Sequence, residues 1–299
     1  MHLEHQPEGF VPAIAKVRRD HGLLKLALEL HDGAVVESVL IPMRTRPHGC
    51  DRLTLCLSTQ VGCRMGCVFC ATGRMGFVRN LEPGEIVAQV RAAERLSHRP
   101  DNLVFMGMGE PLDNLANWRE AVRLLTDSRR VGPRPPIAWS AMEMTLSTVG
   151  HLDGLERLAA VYPRKMTLAV SLNAPNDELR SRLMPVNRRW PMEALREALL
   201  RFPMKNRTFL AEYVVFRGLN DREAHARELA EYLSPFRALV NLIPYNPPAE
   251  GGPEGLVSPT VAEVERFKRR LVEHHQPARR RESKGRRIAA ACGQLATSL

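Results

Sequence analysis

Residues 62–70 read Gly-Cys-Arg-Met-Gly-Cys-Val-Phe-Cys, which places Cys63, Cys67 and Cys70 in one short loop with the spacing C-x3-C-x2-C. A structural zinc ion takes four protein ligands, and no fourth cysteine lies close by in the sequence. A cubane [4Fe–4S] cluster takes one ligand per iron, so three cysteines leave one iron open to a ligand from outside the protein. The spacing therefore indicates an iron–sulfur cluster with one open iron. A zinc site completed by a distant histidine is the alternative.

The composition is that of a globular protein. The chain has 299 residues, 44% of them hydrophobic, which is enough for one large α/β domain and a small additional module. No apolar run is long enough to cross a membrane, and the first residues lack the cationic and apolar segments of a secretory signal. Three further cysteines, Cys50, Cys56 and Cys292, are scattered and form no disulfide framework. We therefore expect a protein of the reducing cytoplasm.

The net charge of +10 predicts a polyanionic partner, because clustered cations attract phosphates and release their counterions. Basic residues are concentrated at 16–19, 44–46, 129–130, 188–189 and 279–287. Aromatic residues make up only 5% of the chain, which argues against a stacking platform for single-stranded nucleic acid. For any one of these patches, an arginine-rich solvated surface is the alternative.

Residues 1–50 are predicted to form a small N-terminal extension that contains a β-hairpin. The segments 23–30 and 35–41 alternate apolar and polar residues on either side of an Asp-Gly turn at 32–33. With the period of two that a strand has, Glu37 shares an apolar face with Val39 and Ile41. A carboxylate on such a face should have a raised pKa, which suits a general base. A glutamate that faces solvent on an edge strand is the alternative.

From residue 51 the pattern alternates between apolar strands and amphipathic helices. Strands are predicted at 53–57, 103–106, 142–146, 166–170, 210–216 and 239–243. Helices are predicted at 82–96, 116–126, 152–160, 192–201, 221–233 and 260–272. This order is typical of a parallel sheet with right-handed crossovers, so we interpret 51–275 as a partial (β/α)6 barrel of the α/β class. A C-terminal segment, 276–299, follows it.

Polar, Gly-rich or Cys-rich residues follow the predicted strands. In barrels the loops at the carboxyl ends of the strands converge, and the functional site lies there. We therefore expect the cysteine loop and the residues after the other strands to surround one site.

Six runs of sequence, taken in order, resemble those of the RlmN/Cfr-type radical S-adenosylmethionine (SAM) RNA adenine methyltransferases, over residues 35–297. The runs are LCLSTQVGC at 55–63, GMGEPL at 107–112, TLST at 145–148, SLNAPND at 171–177, NLIPYNP at 241–247 and ACGQL at 291–295. The resemblance implies a radical SAM barrel, a [4Fe–4S] cluster on the three loop cysteines, and two molecules of SAM per turnover. It further implies methylation of carbon-2, or carbon-8, of an adenosine in 23S rRNA or tRNA.

The resemblance also implies roles for individual residues. Cys292 would carry the transferred methyl group, Cys56 would release the product, and Glu37 would accept the proton. The residues that match SAM contacts are Gly109, Glu110, Ser147, Ser171, Leu172, Asn173 and Asn246. Asn173 stands where a histidine is usual, and 284–288 is basic where an acidic residue is usual. The implied partners are RNA and an electron donor such as flavodoxin or ferredoxin, with the protein itself a monomer and no membrane involved.

The chemistry explains why two cysteines would be needed. Carbon-2 of adenine is electrophilic, so it will not attack the methyl group of SAM directly. In the route that the resemblance implies, SAM first methylates Cys292, and a radical formed from a second SAM then activates the S-methyl carbon. After that carbon has added to the base, Cys56 attacks Cys292 and the product leaves with formation of a disulfide.

Two other functions stay open at this point. A radical SAM enzyme of the same fold could act on a small molecule or a protein, with Cys292 serving another purpose. A metal-binding or RNA-binding module without enzymatic activity is the third reading. We interpret Cys50 as structural.

Overall fold

The computed structural model describes residues 12–44, 51–127, 138–162, 165–204, 208–248 and 251–296. Cys50, the basic pair at 129–130 and two residues of the 44–46 patch lie outside the described residues. In the described part of the chain, every helix is too short or too polar to span a lipid bilayer.

The N-terminal region forms three antiparallel strands, β1 (Ala13–Asp20), β2 (Leu23–Glu29) and β3 (Val35–Arg44). The predicted hairpin is confirmed as β2–β3, and Gly33 in its turn has a φ of +79°, which favours glycine. β1 was missed because its sequence, AIAKVRRD, is largely exposed and carries little apolar alternation. A basic edge strand of this kind resists pairing with other chains.

The remaining elements repeat strand and helix. In chain order they are β4 (Asp51–Cys56), β5 (Gln60–Gly62), α1 (Ala71–Arg74), β6 (Phe77–Asn80), α2 (Pro83–Glu94), β7 (Asn102–Phe105), α3 (Leu115–Thr126), β8 (Met144–Thr148), α4 (Leu152–Val161), β9 (Thr167–Ser171), α5 (Asp177–Leu183), α6 (Met192–Arg201), β10 (Phe209–Val215), α7 (Glu223–Leu233), β11 (Ala238–Pro244), α8 (Val261–Glu273) and β12 (Ala278–Arg280). Short 3-10 turns lie at Ala141–Glu143, Pro185–Arg188 and Arg286–Ile288.

One sheet of ten strands organises the described structure, in the order β1-β2-β3-β4-β7-β8-β9-β10-β11-β12. In this sheet the strands from β4 onward run parallel, and β1 to β4 are antiparallel. β5 and β6 form a separate antiparallel pair. The predicted α/β class is confirmed, and each predicted strand and helix of 51–275 lies within two residues of its expected ends. The short strand β12 and the helix α5 were not predicted. Because β3 pairs with β4, the N-terminal extension and the barrel share one sheet.

The core explains why these segments are strands. The central strands are short runs of buried aliphatic residues, as expected for strands covered on both faces, and Leu103, Leu146 and Val240 are fully buried. The helices cover the sheet with one apolar face each; in α8, for example, Val264, Phe267 and Leu271 are buried at helical spacing.

The C-terminal segment, residues 281–296, returns from β12 to the opposite end of the sheet. The Lys25 Nζ on β2 donates to the carbonyl oxygen of Ala289 at 2.8 Å. The backbone nitrogen of Ala71 in the cysteine loop donates to the Gly293 carbonyl oxygen at 2.8 Å. Thr72 Oγ1 donates to the Leu295 carbonyl oxygen at 2.6 Å. These bonds hold the segment against both the N-terminal strands and the cysteine loop.

Candidate functional site

One cavity lies at the carboxyl ends of the parallel strands, where the sequence predicts the site. Its wall is built by residues that follow β7, β8, β9, β11 and β12, by residues of β10, by the cysteine loop and by the C-terminal segment. The predicted site residues that line it are Cys63, Cys67, Cys70, Gly109, Glu110, Ser147, Ser171, Asn173, Asn246 and Cys292.

Three predicted site residues are not part of the wall. The Leu172 side chain is fully buried in the core, so only its backbone could reach a ligand. Cys56 is buried at the end of β4. Glu37 is buried in β3 and contacts the C-terminal segment from the side of the N-terminal strands.

The cysteine loop is shaped by close backbone contacts. The Cys63 nitrogen donates to the Gly76 carbonyl oxygen at 2.8 Å. A Cβ at Gly62 would lie 1.9 Å from that same oxygen, so only glycine fits at this position. The loop thus directs three thiols at one cavity with little freedom in its backbone.

The donor set fits an iron–sulfur cluster. Burial raises the pKa of Cys63 to about 12 and that of Cys67 well above its usual value, so nearby positive charge, which cluster iron provides, is needed to keep them as thiolates. In a cubane each thiolate binds its own iron, so the ligands surround the cluster. Within the described ranges, no three His, Cys, Asp or Glu side chains are arranged to hold a single metal ion.

The loop after β7 places a buried carboxylate at the cavity. Gly109 has a φ of +98°, and a Cβ there would lie 2.5 Å from the Gln60 Cβ. Glu110 is 2% exposed, and its two carboxylate oxygens accept from the backbone nitrogens of Leu112 and Val149 at 3.0 and 2.9 Å. Burial raises the pKa of Glu110, while these N–H groups favour the charged form. With lone pairs to spare, Glu110 can accept from the ammonium of an amino-acid ligand.

Asn173 is held in an uncommon backbone conformation at the end of β9. Its φ is +58°, in the left-handed region, and its side-chain oxygen accepts from the Val214 nitrogen at 2.9 Å. Among the residues that the structure describes, its amide nitrogen donates only to the weak acceptor Met184 Sδ, at 3.2 Å. The Asn173 amide is therefore free to donate to a ligand in the cavity, as the predicted SAM contact requires.

Arg180 fixes the two loops that carry Ser147 and Ser171. This arginine on α5 is fully buried, and its guanidinium donates to the carbonyl oxygens of Val149, Ser171 and Leu172 at 2.5, 3.0 and 3.2 Å. One cation thereby satisfies the free carbonyls after two neighbouring strands. Sequence reasoning missed it because α5, DELRSRL, has the composition of a solvated helix.

Cys56 and Cys292 interact electrostatically at the edge of the cavity. Burial, with a smaller contribution from the neighbouring Cys292, raises the pKa of Cys56 to about 12. Both cysteines raise the pKa of the Arg281 guanidinium. Arg281 is the only cation among the described residues that line the cavity. Cys56 and Cys292 are both free thiols. The arrangement therefore allows the buried Cys56 thiol and the exposed Cys292 thiol to take part in one reaction.

A buried ion pair holds Glu37. Lys25 Nζ lies 2.9 Å from Glu37 Oε1, with both side chains at least nine-tenths buried. The Ala296 nitrogen donates to Glu37 Oε2 at 2.9 Å. Burial raises the pKa of Glu37, as the sequence predicted, and Lys25 opposes that rise. Lys25 was missed, although the predicted hairpin puts it on the strand face that Glu37 occupies: Ala27 pairs with Glu37, and Lys25 is its diagonal neighbour.

Comparison with known proteins identifies relatives over the whole chain. Residues 57–230 match the Radical SAM superfamily. The dual-specificity RNA methyltransferase RlmN of Syntrophotalea carbinolica is 43% identical, across 99% of this chain and 75% of the relative. The RlmN of Nitratidesulfovibrio vulgaris is 46% identical, across 93% and 74%. A crystal structure of a radical SAM methyltransferase from Sphaerobacter thermophilus has a TM-score of 0.85 and 38% identity, across 96% of this chain and 82% of that one.

Replacement of Lys25 tests the ion pair. Lys25→Met leaves the Glu37 carboxylate buried without its cation, so we expect a loss of about 3–5 kcal/mol in the free energy of unfolding near neutral pH. The loss should shrink on acidification, because protonated Glu37 needs no cation and the wild type loses the pair. Urea unfolding followed by circular dichroism measures this. The double variant Lys25→Met/Glu37→Gln should recover most of the stability; equal losses in the single and double variants would contradict the pairing.

Gly109→Ala tests the loop that carries Glu110. The added methyl group would collide with Gln60, whose side-chain oxygen accepts from the Glu110 nitrogen at 2.9 Å, so we expect SAM binding to the reconstituted protein to fall at least tenfold. Gly33→Ala is the matched control: it has a positive φ but no atom within 4 Å of the added Cβ. That variant should lose about 1 kcal/mol of stability through backbone strain and bind SAM normally. Similar SAM affinity in both variants would refute this account of the loop.

Proposed function

The chain belongs to the radical SAM superfamily and, within it, to the RlmN-type RNA methyltransferases, and we propose that it methylates carbon-2 or carbon-8 of an adenosine in 23S rRNA or tRNA. One observation carries this proposal. The three loop cysteines, Cys292 and every residue that matches a SAM contact except Leu172 line a single cavity. A methyl acceptor on the protein thus lies beside the groups that would hold the cluster and SAM.

The residues around the cavity divide the work of binding. When bound, the [4Fe–4S] cluster and SAM supply the methyl group and the radical chemistry. Cys63, Cys67 and Cys70 would hold the cluster. Glu110 would accept from the SAM ammonium, and Ser147, Ser171, Asn173 and Asn246 would bind its ribose and adenine.

Cys292 would be the methylated residue and Cys56 the residue that releases the product. Cys292 is exposed at the cavity, so SAM and RNA can both reach its sulfur. Cys56 is buried, and a raised pKa keeps it protonated and unreactive until it is needed. This difference supports the order of events, in which Cys292 reacts first and Cys56 attacks it afterwards to form the disulfide.

Glu37 would accept the proton that leaves the adenine. Both of its oxygens are engaged, by Lys25 and by the Ala296 nitrogen, and the latter belongs to the segment that carries Cys292. Because Glu37 is buried and does not line the cavity, proton transfer to it would follow a shift of residues 289–296 that breaks the bond to Ala296. Lys25 would hold the carboxylate in its charged form until then.

The remaining parts of the proposal concern partners. An electron must reach the cluster from outside the chain, and a net charge of +10 suits an acidic donor such as flavodoxin or ferredoxin. We place the protein in the cytoplasm, where RNA and such donors are available. A monomer is sufficient, because one chain supplies every proposed group of the cavity.

Reconstituted protein incubated with SAM, a reductant and RNA tests the proposed function. We expect methyladenosine in the digested RNA by mass spectrometry, with chromatographic comparison to 2-methyladenosine and 8-methyladenosine standards distinguishing carbon-2 from carbon-8. Cys292→Ser should abolish the product, because an alcohol is a far poorer nucleophile than a thiolate. Methylation that survives in Cys292→Ser would contradict the proposed role of Cys292. Unmodified rRNA and tRNA after incubation with protein that has an intact cluster would contradict the RNA substrate and favour a non-RNA substrate.

Cys56→Ala tests the release step. Without the second sulfur, RNA should remain covalently attached to Cys292, and the complex should migrate more slowly in denaturing gels. The conservative Cys50→Ala variant is the control and should turn over normally. Free product at the wild-type rate from Cys56→Ala would refute the releasing role.

A further inference from the structure

A second cavity, of about 370 Å³, lies between the N-terminal strands and the C-terminal segment. One wall is the turn between β1 and β2, with His21, and the end of β3, with Pro42. The other wall is residues 283–287, which include Lys284, Arg286 and Arg287. We call it the basic cleft. No residue of the proposed catalytic set lines it.

The cations of the basic cleft are not neutralised. Lys284 Nζ donates to the Pro42 carbonyl oxygen. Arg286 Nε donates to Asn246 Oδ1 at 2.5 Å. Both acceptors are uncharged, and across the described ranges no carboxylate lies within ion-pair distance of Lys284, Arg286 or Arg287. Elsewhere many arginines do face carboxylates, for example Arg79, Arg217 and Arg270.

The wall of the basic cleft has a fixed backbone. Gly285 has a φ of +75°, and a Cβ there would lie 2.9 Å from the Ala290 Cβ and 3.0 Å from Leu23 Cδ1. The turn is therefore packed tightly against the start of β2. Asp20, the one carboxylate in the lining, is hydrogen-bonded to His21 at 2.7 Å and forms no ion pair with the cations of the opposite wall.

Two connections place the basic cleft next to the catalytic cavity. Asn246, which binds Arg286, also lines that cavity. The segment that supplies the three cations continues directly into Cys292. On the other side, the edge strand β1 adds the exposed Lys16 and Arg19 to the same end of the sheet. The basic cleft thus adjoins the catalytic cavity through the contact between Arg286 and Asn246.

We propose that the basic cleft binds the phosphate backbone of the substrate RNA and so positions the target adenosine at Cys292. Clustered Lys and Arg side chains without protein counter-charges are suited to phosphate groups, which Arg binds through its planar fork. Most ligand pockets for small molecules are lined by apolar side chains, whereas this one is dominated by polar and charged ones. The proposal rests on the proposed function only in naming RNA as the polyanion.

The salt dependence of RNA binding tests the proposal. The probe is a fluorescein-labelled RNA stem-loop with one unpaired adenosine, measured by fluorescence anisotropy without SAM. Arg287→Gln removes a cation whose guanidinium makes no hydrogen bond or ion pair in the described structure. If the Arg287 guanidinium of the wild type contacts one phosphate, the slope of log Kd against log salt concentration should fall by about 0.7–0.9 in the variant, with severalfold weaker binding at low salt.

The matched control is Arg119→Gln, an exposed position on α3 that changes the net charge equally. It should leave the slope unchanged. If the slope of log Kd against log salt concentration is the same for Arg287→Gln and Arg119→Gln while the wild type binds RNA normally, only the proposal for the basic cleft is overturned. A wild type that fails to bind RNA at low salt would instead overturn the proposed function. Binding to phosphatidylserine vesicles that depends on Arg287, with no effect on RNA, would also overturn the assignment.

Discussion

The buried pair between Lys25 and Glu37 is the contact on which the arrangement of the site depends. It joins the β2–β3 hairpin to the C-terminal segment, because Lys25 also holds the Ala289 carbonyl and Glu37 holds the Ala296 nitrogen. A charged pair in the interior is stabilising only when both partners are satisfied. The C-terminal segment supplies the remaining hydrogen bonds of the pair, through the Ala289 carbonyl and the Ala296 nitrogen. The burial of Glu37 and the position of Cys292 therefore depend on each other.

The parallel sheet supplies the rest of the geometry. The carboxyl ends of its strands lie around one cavity, and buried polar side chains hold the loops that follow them. Arg180 binds three carbonyls after β8 and β9, and Gln60 binds the Glu110 nitrogen after β7. These residues touch no proposed reacting atom. They hold in place the loops whose side chains line the cavity.

The fold and most of the cavity could be predicted from sequence because both follow from local patterns. Alternating apolar strands and amphipathic helices fix the α/β class, and glycine and cysteine runs mark the loops. Lys25, Arg180 and Arg281 were missed, since a buried charge is recognised only by its partner in space. Arg180 and Arg281 lie in segments with the composition of a surface helix and a polar tail, and Lys25 is a single cation in an otherwise apolar part of β2. Leu172 lies within a matching motif but its side chain belongs to the core, so a SAM contact at this position would come from its backbone.

The most direct test of the account is to find where a methyl group is placed on the protein. The reconstituted protein would be incubated anaerobically with SAM carrying a trideuterated methyl group and a reductant, without RNA, and its peptides analysed by mass spectrometry. The account predicts the label on Cys292, and its loss when Cys63, Cys67 and Cys70 are replaced by alanine. A label on another residue, or an unlabelled Cys292 in protein with an intact cluster and bound SAM, would contradict it.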